Sequence, residues 1–353
     1  MALTLCLMVL TAALLAYIAS AMPRVLYEGD VCRLGANRKG LCKPLSQCKP
    51  AFRQLSTSGI RPIHCSFKGF EEVVCCDDEV SQQLRKSELA CREYMNELPL
   101  RVNPFIKSGR DAEPGDYPHM AALGYMDPLE PSQIAWNCGG TLISDRYVLT
   151  AAHCVVPTLS RKSPVIVLLG AVNLNEPDFM AQTYHVKKWM QHPEYSTTTV
   201  YNDIAVIELD RRVKFSENIQ PACLNTKSDI PNNGLEVTGW GVTSNTRSTK
   251  SDILQYATLS LVPNDKCNES YVSQKKVNRG VQDNMICAGD PQGKMDACNG
   301  DSGGPLQVKT TETNAYSIVG VTSYGPSVCG GLTPGIYTRV NRYVDWIESI
   351  VWK

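Results

Sequence analysis

Cysteine placement constrains this 353-residue chain more than any other feature. Fifteen cysteines are present, and six of them fall between residues 32 and 76, at Cys32, Cys42, Cys48, Cys65, Cys75 and Cys76. So short a segment buries too little apolar surface to fold unaided, and disulfides are the usual remedy. Cys75 and Cys76 are neighbours, and a bridge between adjacent residues is badly strained, so each is expected to reach a distant partner. Spacing alone leaves many pairings open. Only five histidines and no paired Cys-x-x-Cys knuckles accompany the thiols, which argues against a metal-binding role. This cysteine content is foreign to a reducing compartment and predicts secretion.

The N-terminus agrees with that compartment. Residues 2–19 are almost wholly apolar, and Ala19-Ser20-Ala21 has the small-x-small form of a signal-peptidase site. Residues 1–21 are read as a cleaved signal peptide rather than a membrane anchor, although the apolar run is long and its start lacks Lys or Arg. Cleavage removes Cys6 and leaves an even fourteen cysteines. The 35 basic residues balance 35 acidic ones, which excludes a polyanion binder working by bulk field. Hydrophobic residues at 43% against 20% charged describe a folded chain.

Three regions follow the signal. Residues 32–76 form the cysteine-dense module, and residues 77–105 form a polar linker with a helix-like middle, Pro99 and Pro104 near its end, and Cys91 inside it. Residues 106–353 carry short β-rich runs such as Val165–Leu169, Ile204–Leu209 and Ile318–Thr322, separated by Gly, Pro, Asn and Ser. That pattern predicts one large all-β domain, a barrel or sandwich. The stretch Tyr343–Ile350 has helical periodicity and is expected to pack on the barrel surface.

The chemistry is concentrated in Gly300-Asp301-Ser302-Gly303-Gly304-Pro305. Glycines flanking a serine let backbone approach a substrate and aim amide N–H groups at a developing oxyanion. The same residues fit the elbow of α/β-hydrolases, but those enzymes need a histidine after the serine and none follows Ser302. The base must lie upstream, among His64, His119, His153, His185 and His192. His64 belongs to the small module, His119 reads as a surface or packing residue, and His185 and His192 flank a turn without small neighbours. His153, in Thr150-Ala151-Ala152-His153-Cys154, has small residues that permit close packing, and it is the chosen base. A base of this kind needs a carboxylate to set its tautomer. Asp203 opens the apolar run Ile204–Leu209, where an unpaired charge would be costly. The order His153, Asp203, Ser302 is one of the chain orders in which a Ser-His-Asp triad is built.

With TAAHC, DIAV and GDSGGP in this order, residues 106–353 resemble a chymotrypsin-fold, trypsin-like serine protease. The resemblance implies two six-stranded antiparallel β-barrels with the site between them and a C-terminal helix. It assigns Ser302 as nucleophile, His153 as general base and acid, Asp203 as orienting carboxylate, and the amides of Gly300 and Ser302 as oxyanion hole. It places Asp296 at the base of the primary pocket, selecting Arg or Lys, with Gly325 and Gly335 as pocket walls and Ser323-Tyr324-Gly325 pairing with substrate backbone. It also implies the bridges Cys138–Cys154, Cys267–Cys287 and Cys298–Cys329; Cys223 and Cys91 then remain, and pairing them uses every mature cysteine. The small module resembles the clip domain of arthropod clip-domain serine proteases, which implies Cys32–Cys75, Cys42–Cys65 and Cys48–Cys76.

The same resemblance implies a zymogen. Cleavage after Phe105 would free Ile106 as a new amino terminus whose ammonium pairs with Asp301 and orders the pocket. The start reads Ile106-Lys107-Ser108-Gly109 where the family has Ile-Val-Gly-Gly, and Phe105 suits a chymotrypsin-like or microbial activator rather than self-cleavage; Arg101 keeps a trypsin-like cut open. The expectation is a secreted haemolymph endopeptidase that cuts after Arg or Lys in a limited-proteolysis cascade of innate immunity, melanisation or development. Its expected partners are downstream zymogens, an upstream protease and a serpin, with no nucleic acid, membrane, metal or other cofactor. The alternative is a poorly activatable homologue acting as a scaffold. Asn268-Glu269-Ser270 is a glycosylation sequon, and the segment Glu176–Met180 is too poor in carboxylates to predict Ca²⁺ binding.

Overall fold

A computed structural model describes residues 25–34, 39–76, 84–97, 111–127, 130, 132–159, 162–177, 179–230, 234–242, 250–293, 300–310, 315–325 and 331–353. The expected signal peptide 1–21, the residues Phe105 and Ile106, and Asp296, Cys298 and Cys329 lie outside the described residues. The chain divides into two compact units, Met1–Leu84 and Arg85–Lys353.

The first unit is a four-stranded sheet of β1 (Val31–Arg33), β2 (Lys39–Pro44), β3 (His64–Lys68) and β4 (Glu71–Cys76), ordered β1-β2-β4-β3. A helix, α1 (Lys49–Ser58), starts with proline in its first turn and stops at Gly59, whose φ of 67° no larger side chain adopts readily. Successive residues of a strand face opposite ways. On β4 this sends Cys75 to Cys32 on one side and Cys76 to Cys48 on the other, while Cys42 joins Cys65. Val73 packs with the Cys75 group and Val74 with the Cys76 group, so two small clusters built around sulfur stand in for a core.

The second unit holds two barrels. Strands β5 (Met120–Met126), β6 (Ile134–Leu142), β7 (Tyr147–Thr150), β8 (Ile166–Leu169), β9 (Gln182–Gln191) and β10 (Ala205–Leu209) close in the order β10-β7-β6-β5-β8-β9. After β11 (Cys223–Leu224) come β12 (Leu235–Gly239), β13 (Gln255–Val262), β14 (Met285–Gly289), β15 (Pro305–Lys309), β16 (Tyr316–Tyr324) and β17 (Gly335–Arg339). Their antiparallel order β16-β15-β12-β13-β14-β17 closes through the β16–β17 pairing, and β11 joins β16 in parallel at the rim. Closure removes the free sheet edges that would otherwise need cover. Leu123, Tyr125, Leu149, Leu169, Tyr184 and Ile207 fill the first barrel, and Val237, Leu259, Ile286, Leu306, Val319 and Tyr337 the second. The fold is the trypsin-like double barrel expected from the motifs, with the disulfide-rich segment ahead of it and a C-terminal helix behind. The three β-rich runs singled out in the sequence are β8, β10 and β16, and the helical C-terminus spans Val344–Val351.

The middle of the 77–105 stretch forms a second helix, α2 (Lys86–Glu97), and it belongs to the double-barrel unit. Cys91 bonds Cys223 there, beside the bridges Cys138–Cys154 and Cys267–Cys287. No helix of the described residues is long and apolar enough to cross a membrane.

His119 is a packing residue, 1% exposed, with Nε2 2.5 Å from Gln307 Oε1. Burial lowers its pKa to about 4, only partly opposed by the Gln307 hydrogen bond. The imidazole is therefore neutral when folded, and the unfolded chain binds the extra proton first. This contribution to stability is intact above pH ~6.5 and falls away toward pH 4, by about 3 kcal/mol. Urea melts from pH 7.5 to 4 should show that decline, and His119→Gln should flatten it.

Candidate active site

The strand register brings the first two chemical groups together. On β7 and β10, Thr150 faces Ala205, so the chain leaving β7 and the chain approaching β10 run side by side. His153 sits in the short helix α3 (Ala152–Val155) that follows β7, and Asp203 lies two residues before β10. Asp203 is 3% exposed. Its Oδ2 is 2.7 Å from His153 Nδ1, and its Oδ1 accepts the backbone N–H of His153 at 2.9 Å. The Ser323 hydroxyl donates to Oδ2 at 2.6 Å, and the Thr338 hydroxyl donates to the Asp203 carbonyl at 2.8 Å. Burial alone would push the Asp203 carboxyl up, but the facing imidazole and these donors hold it below the usual carboxylate range. An ionised carboxylate has no proton to give, so the hydrogen between the two groups is on Nδ1.

Ser302 arrives from the second barrel, three residues before β15. The Gly139 N–H donates to its carbonyl at 2.8 Å, which ties the serine loop to β6 of the first barrel. Cys154 Sγ lies 3.5 Å from that carbonyl oxygen and 3.7 Å from His153 Nε2, so one disulfide sulfur seats both the serine backbone and the imidazole. Gly303 has φ of 79°, and a Cβ there would lie 2.2 Å from Thr150 Oγ1 and 2.6 Å from the Gly139 carbonyl. Only glycine fits that junction. Gly300 has φ of 107°, with a Cβ position 2.9 Å from the Gly241 Cα. Asp301 is buried, and its Oδ1 accepts the Gly241 N–H at 2.8 Å in a slot that a side chain at Gly239 or Gly241 would fill.

Ser323 and Tyr324 end β16, Gly325 follows them, and Gly335 opens β17, which pairs with β16 beside them. These four residues thus share one rim of the second barrel. His192 is elsewhere, packed edge-on against Tyr343 and Trp346, and His64 pairs with Glu72 in the first unit. The sequon residue Asn268 lies in the helix Asn264–Tyr271, where its Oδ1 accepts the Val281 N–H at 2.6 Å.

The family model for trypsin matches residues 106–347. The chain belongs to the trypsin family. Curated relatives extend the likeness into the N-terminal part. The serine protease snk of Drosophila melanogaster is 36% identical over 96% of this chain and 82% of its own length. The CLIP domain-containing serine protease C9 of Anopheles gambiae is 34% identical over 92% of this chain and 86% of its own. Phenoloxidase-activating factor 3 of Holotrichia diomphalia is 35% identical over 95% of this chain and 97% of its own. This protease is therefore a serine endopeptidase of the arthropod clip-domain type.

Sequence reasoning missed a layer of this protease behind Asp203. Asn202 is the single non-glycine residue with positive φ among the described residues, at 56°. Its Oδ1 accepts the Tyr343 hydroxyl at 2.8 Å, and that hydroxyl in turn accepts from Asn284 Nδ2 at 2.8 Å. Asparagine tolerates the left-handed region better than most residues, so its place immediately before Asp203 was a usable signal. Tyr343 and Asn284 are remote in sequence and carried none.

Gly303→Ala should lower kcat/KM by about 100-fold, because displacing a nucleophile by roughly 1 Å has that effect, while the protein stays folded by circular dichroism. Tyr343→Phe removes one hydrogen bond on Asn202 and should lower kcat about fivefold with KM nearly unchanged. Steady-state kinetics on one peptide substrate checks both.

Proposed function

We propose that this protease is a secreted zymogen that cleaves peptide bonds after Arg or Lys, with Ser302 as nucleophile, His153 as general base and then acid, and Asp203 as the orienting carboxylate. The observation that carries the reading is the doubly anchored His153–Asp203 pair, held at 2.7 Å through the ring and 2.9 Å through the backbone, with Ser302 against the same disulfide. Nε2, free of the hydrogen on Nδ1, takes the Ser302 proton as the hydroxyl attacks the scissile carbonyl, and the Gly300 and Ser302 amides receive the oxyanion. His153 returns the proton to the leaving amine. Water then hydrolyses the acyl-enzyme by the same steps in reverse order.

Asp296 supplies the anion at the base of the primary pocket, and Gly325 and Gly335 leave room for the long basic side chain. The backbone of Ser323-Tyr324-Gly325 pairs with the substrate as an added strand. Activation follows cleavage after Phe105, when the Ile106 ammonium reaches the carboxylate of Asp301; the slot between Gly239 and Gly241 has room for that anion and for no side chain of its own. The N-terminal unit is the clip domain. The protease acts outside the cell in a cascade, with protein zymogens as substrates, an upstream protease as activator and a serpin as its inhibitor. Resemblance to a phenoloxidase-activating factor and to snk supports the cascade setting.

The processed protein should hydrolyse an Arg-terminated chromogenic peptide, Ser302→Ala should lose at least ~10⁴-fold in kcat, and Asp296→Ser should abolish the preference for Arg over Phe. Edman sequencing should read Ile-Lys-Ser-Gly at the new terminus. Equal, negligible rates for the processed protein and Ser302→Ala would favour a scaffold instead.

A further inference from the structure

The contacts of α2 point to a role beyond carrying Cys91. We propose that residues 85–97 act as a non-covalent subunit of the protease: once the chain is cut between residues 97 and 111, the N-terminal piece stays on the C-terminal helix even without the Cys91–Cys223 bridge. The proposal rests on the zymogen reading for the cut itself and concerns what holds the pieces afterwards.

Ser87, Cys91 and Tyr94 are spaced four and three residues apart, which places them on one face of α2. Each meets a different element of the catalytic unit. At the start of α2, the carboxylate of Glu348 accepts the Ser87 backbone N–H at 3.0 Å and the Ser87 hydroxyl at 2.6 Å. Helix-start N–H groups have no partner within the helix, so this glutamate, from the C-terminal helix Val344–Val351, caps a helix on another part of the chain. Arg85 grips the same carboxylate through Nε and Nη2, each at 3.3 Å, and reaches Asp345 one turn earlier. The Glu348 side chain is only 13% exposed, so these are shielded charge-assisted bonds.

The remaining contacts continue along the helix. The backbone N–H of Arg85 donates to one Glu88 oxygen at 3.0 Å, and the Thr226 hydroxyl donates to the other at 2.5 Å. Near the other end, Trp352 Nε1 donates to the Tyr94 hydroxyl at 3.2 Å, while the Tyr94 ring meets Phe215 edge-on with centroids 5.6 Å apart. Ser87 and Ala90 are buried at 2% and 8% exposure. The Cys91–Cys223 bridge lies between two sets of contacts that do not involve either cysteine. A disulfide alone would leave residues 85–97 on a swivel; the capped helix fixes the orientation of this segment.

The test uses the full chain as Ser302→Ala, with a site-specific protease sequence replacing residues 100–105, so that cutting does not depend on the native activation bond. After cutting, Cys91→Ser/Cys223→Ser protein should still elute as one complex on size exclusion at micromolar concentration. Adding Glu348→Ala should weaken the complex at least ~10-fold, as expected for loss of charge-assisted bonds. Arg85→Ala, on the other piece, should weaken it in the same direction and serves if Glu348→Ala fails to melt cooperatively before cutting. Separation of the pieces as soon as the bridge is absent would overturn the proposal, as would an affinity unchanged by both Glu348→Ala and Arg85→Ala. Whether the native chain is cut after Phe105 is read separately from its new terminus, so failure of the zymogen reading leaves a different trace.

Discussion

A single buried carboxylate organises the catalytic unit. Asp203 draws donors from His153 twice, from Ser323, and, on its own carbonyl, from Thr338. Those partners come from both barrels: α3 belongs to the first, β16 and β17 to the second. Removing a charge from water is costly unless it is fully hydrogen-bonded. The barrels must therefore be packed against each other for Asp203 to remain ionised inside, and the requirement that makes the imidazole useful also locks the interface on which it stands. The Gly139–Ser302 hydrogen bond, with Cys154 Sγ against the same Ser302 carbonyl, adds the second seam of that interface.

The legible part of the protein was the part written in local composition. Glycines around Ser302, small residues before His153 and an apolar run after Asp203 each carry a local physical reason, and their order along the chain separated two folds that share the serine motif. The β-rich runs were readable because a barrel strand is short, branched and bounded by turn residues. The capped helix at 86–97 was readable as a helix-like middle in a polar stretch, and its bridge to Cys223 as the pairing left over by the other cysteines. Its cap was not, because Glu348 is more than 250 residues away. No window along the sequence contains both ends of such a contact. The layer behind Asp203 was hidden for the same reason, since Tyr343 and Asn284 meet Asn202 only after both barrels have closed.

The C-terminal helix has two neighbours of different kinds. Its Trp346, with the preceding Tyr343, packs against His192 and, through the tyrosine hydroxyl, braces Asn202. Its Asp345 and Glu348, with Trp352 just beyond its end, take up Arg85 and α2. The helix and its first flanking residue thus supply both the brace behind Asp203 and the seat for the segment that precedes the double barrel. Val344 and Ile347 are buried and root it in the core of the unit.

The alternation of Cys75 and Cys76 across β4 has a consequence for the N-terminal unit as a whole. With sulfur bonds riveting both faces of the sheet, the outward side chains are released from any duty in holding the fold. Phe52, Phe67 and Phe70 stand largely in solvent, at 56%, 63% and 108% exposure. A module cross-stitched in this way keeps its shape without burying its aromatic side chains, which leaves them at the surface as contact groups.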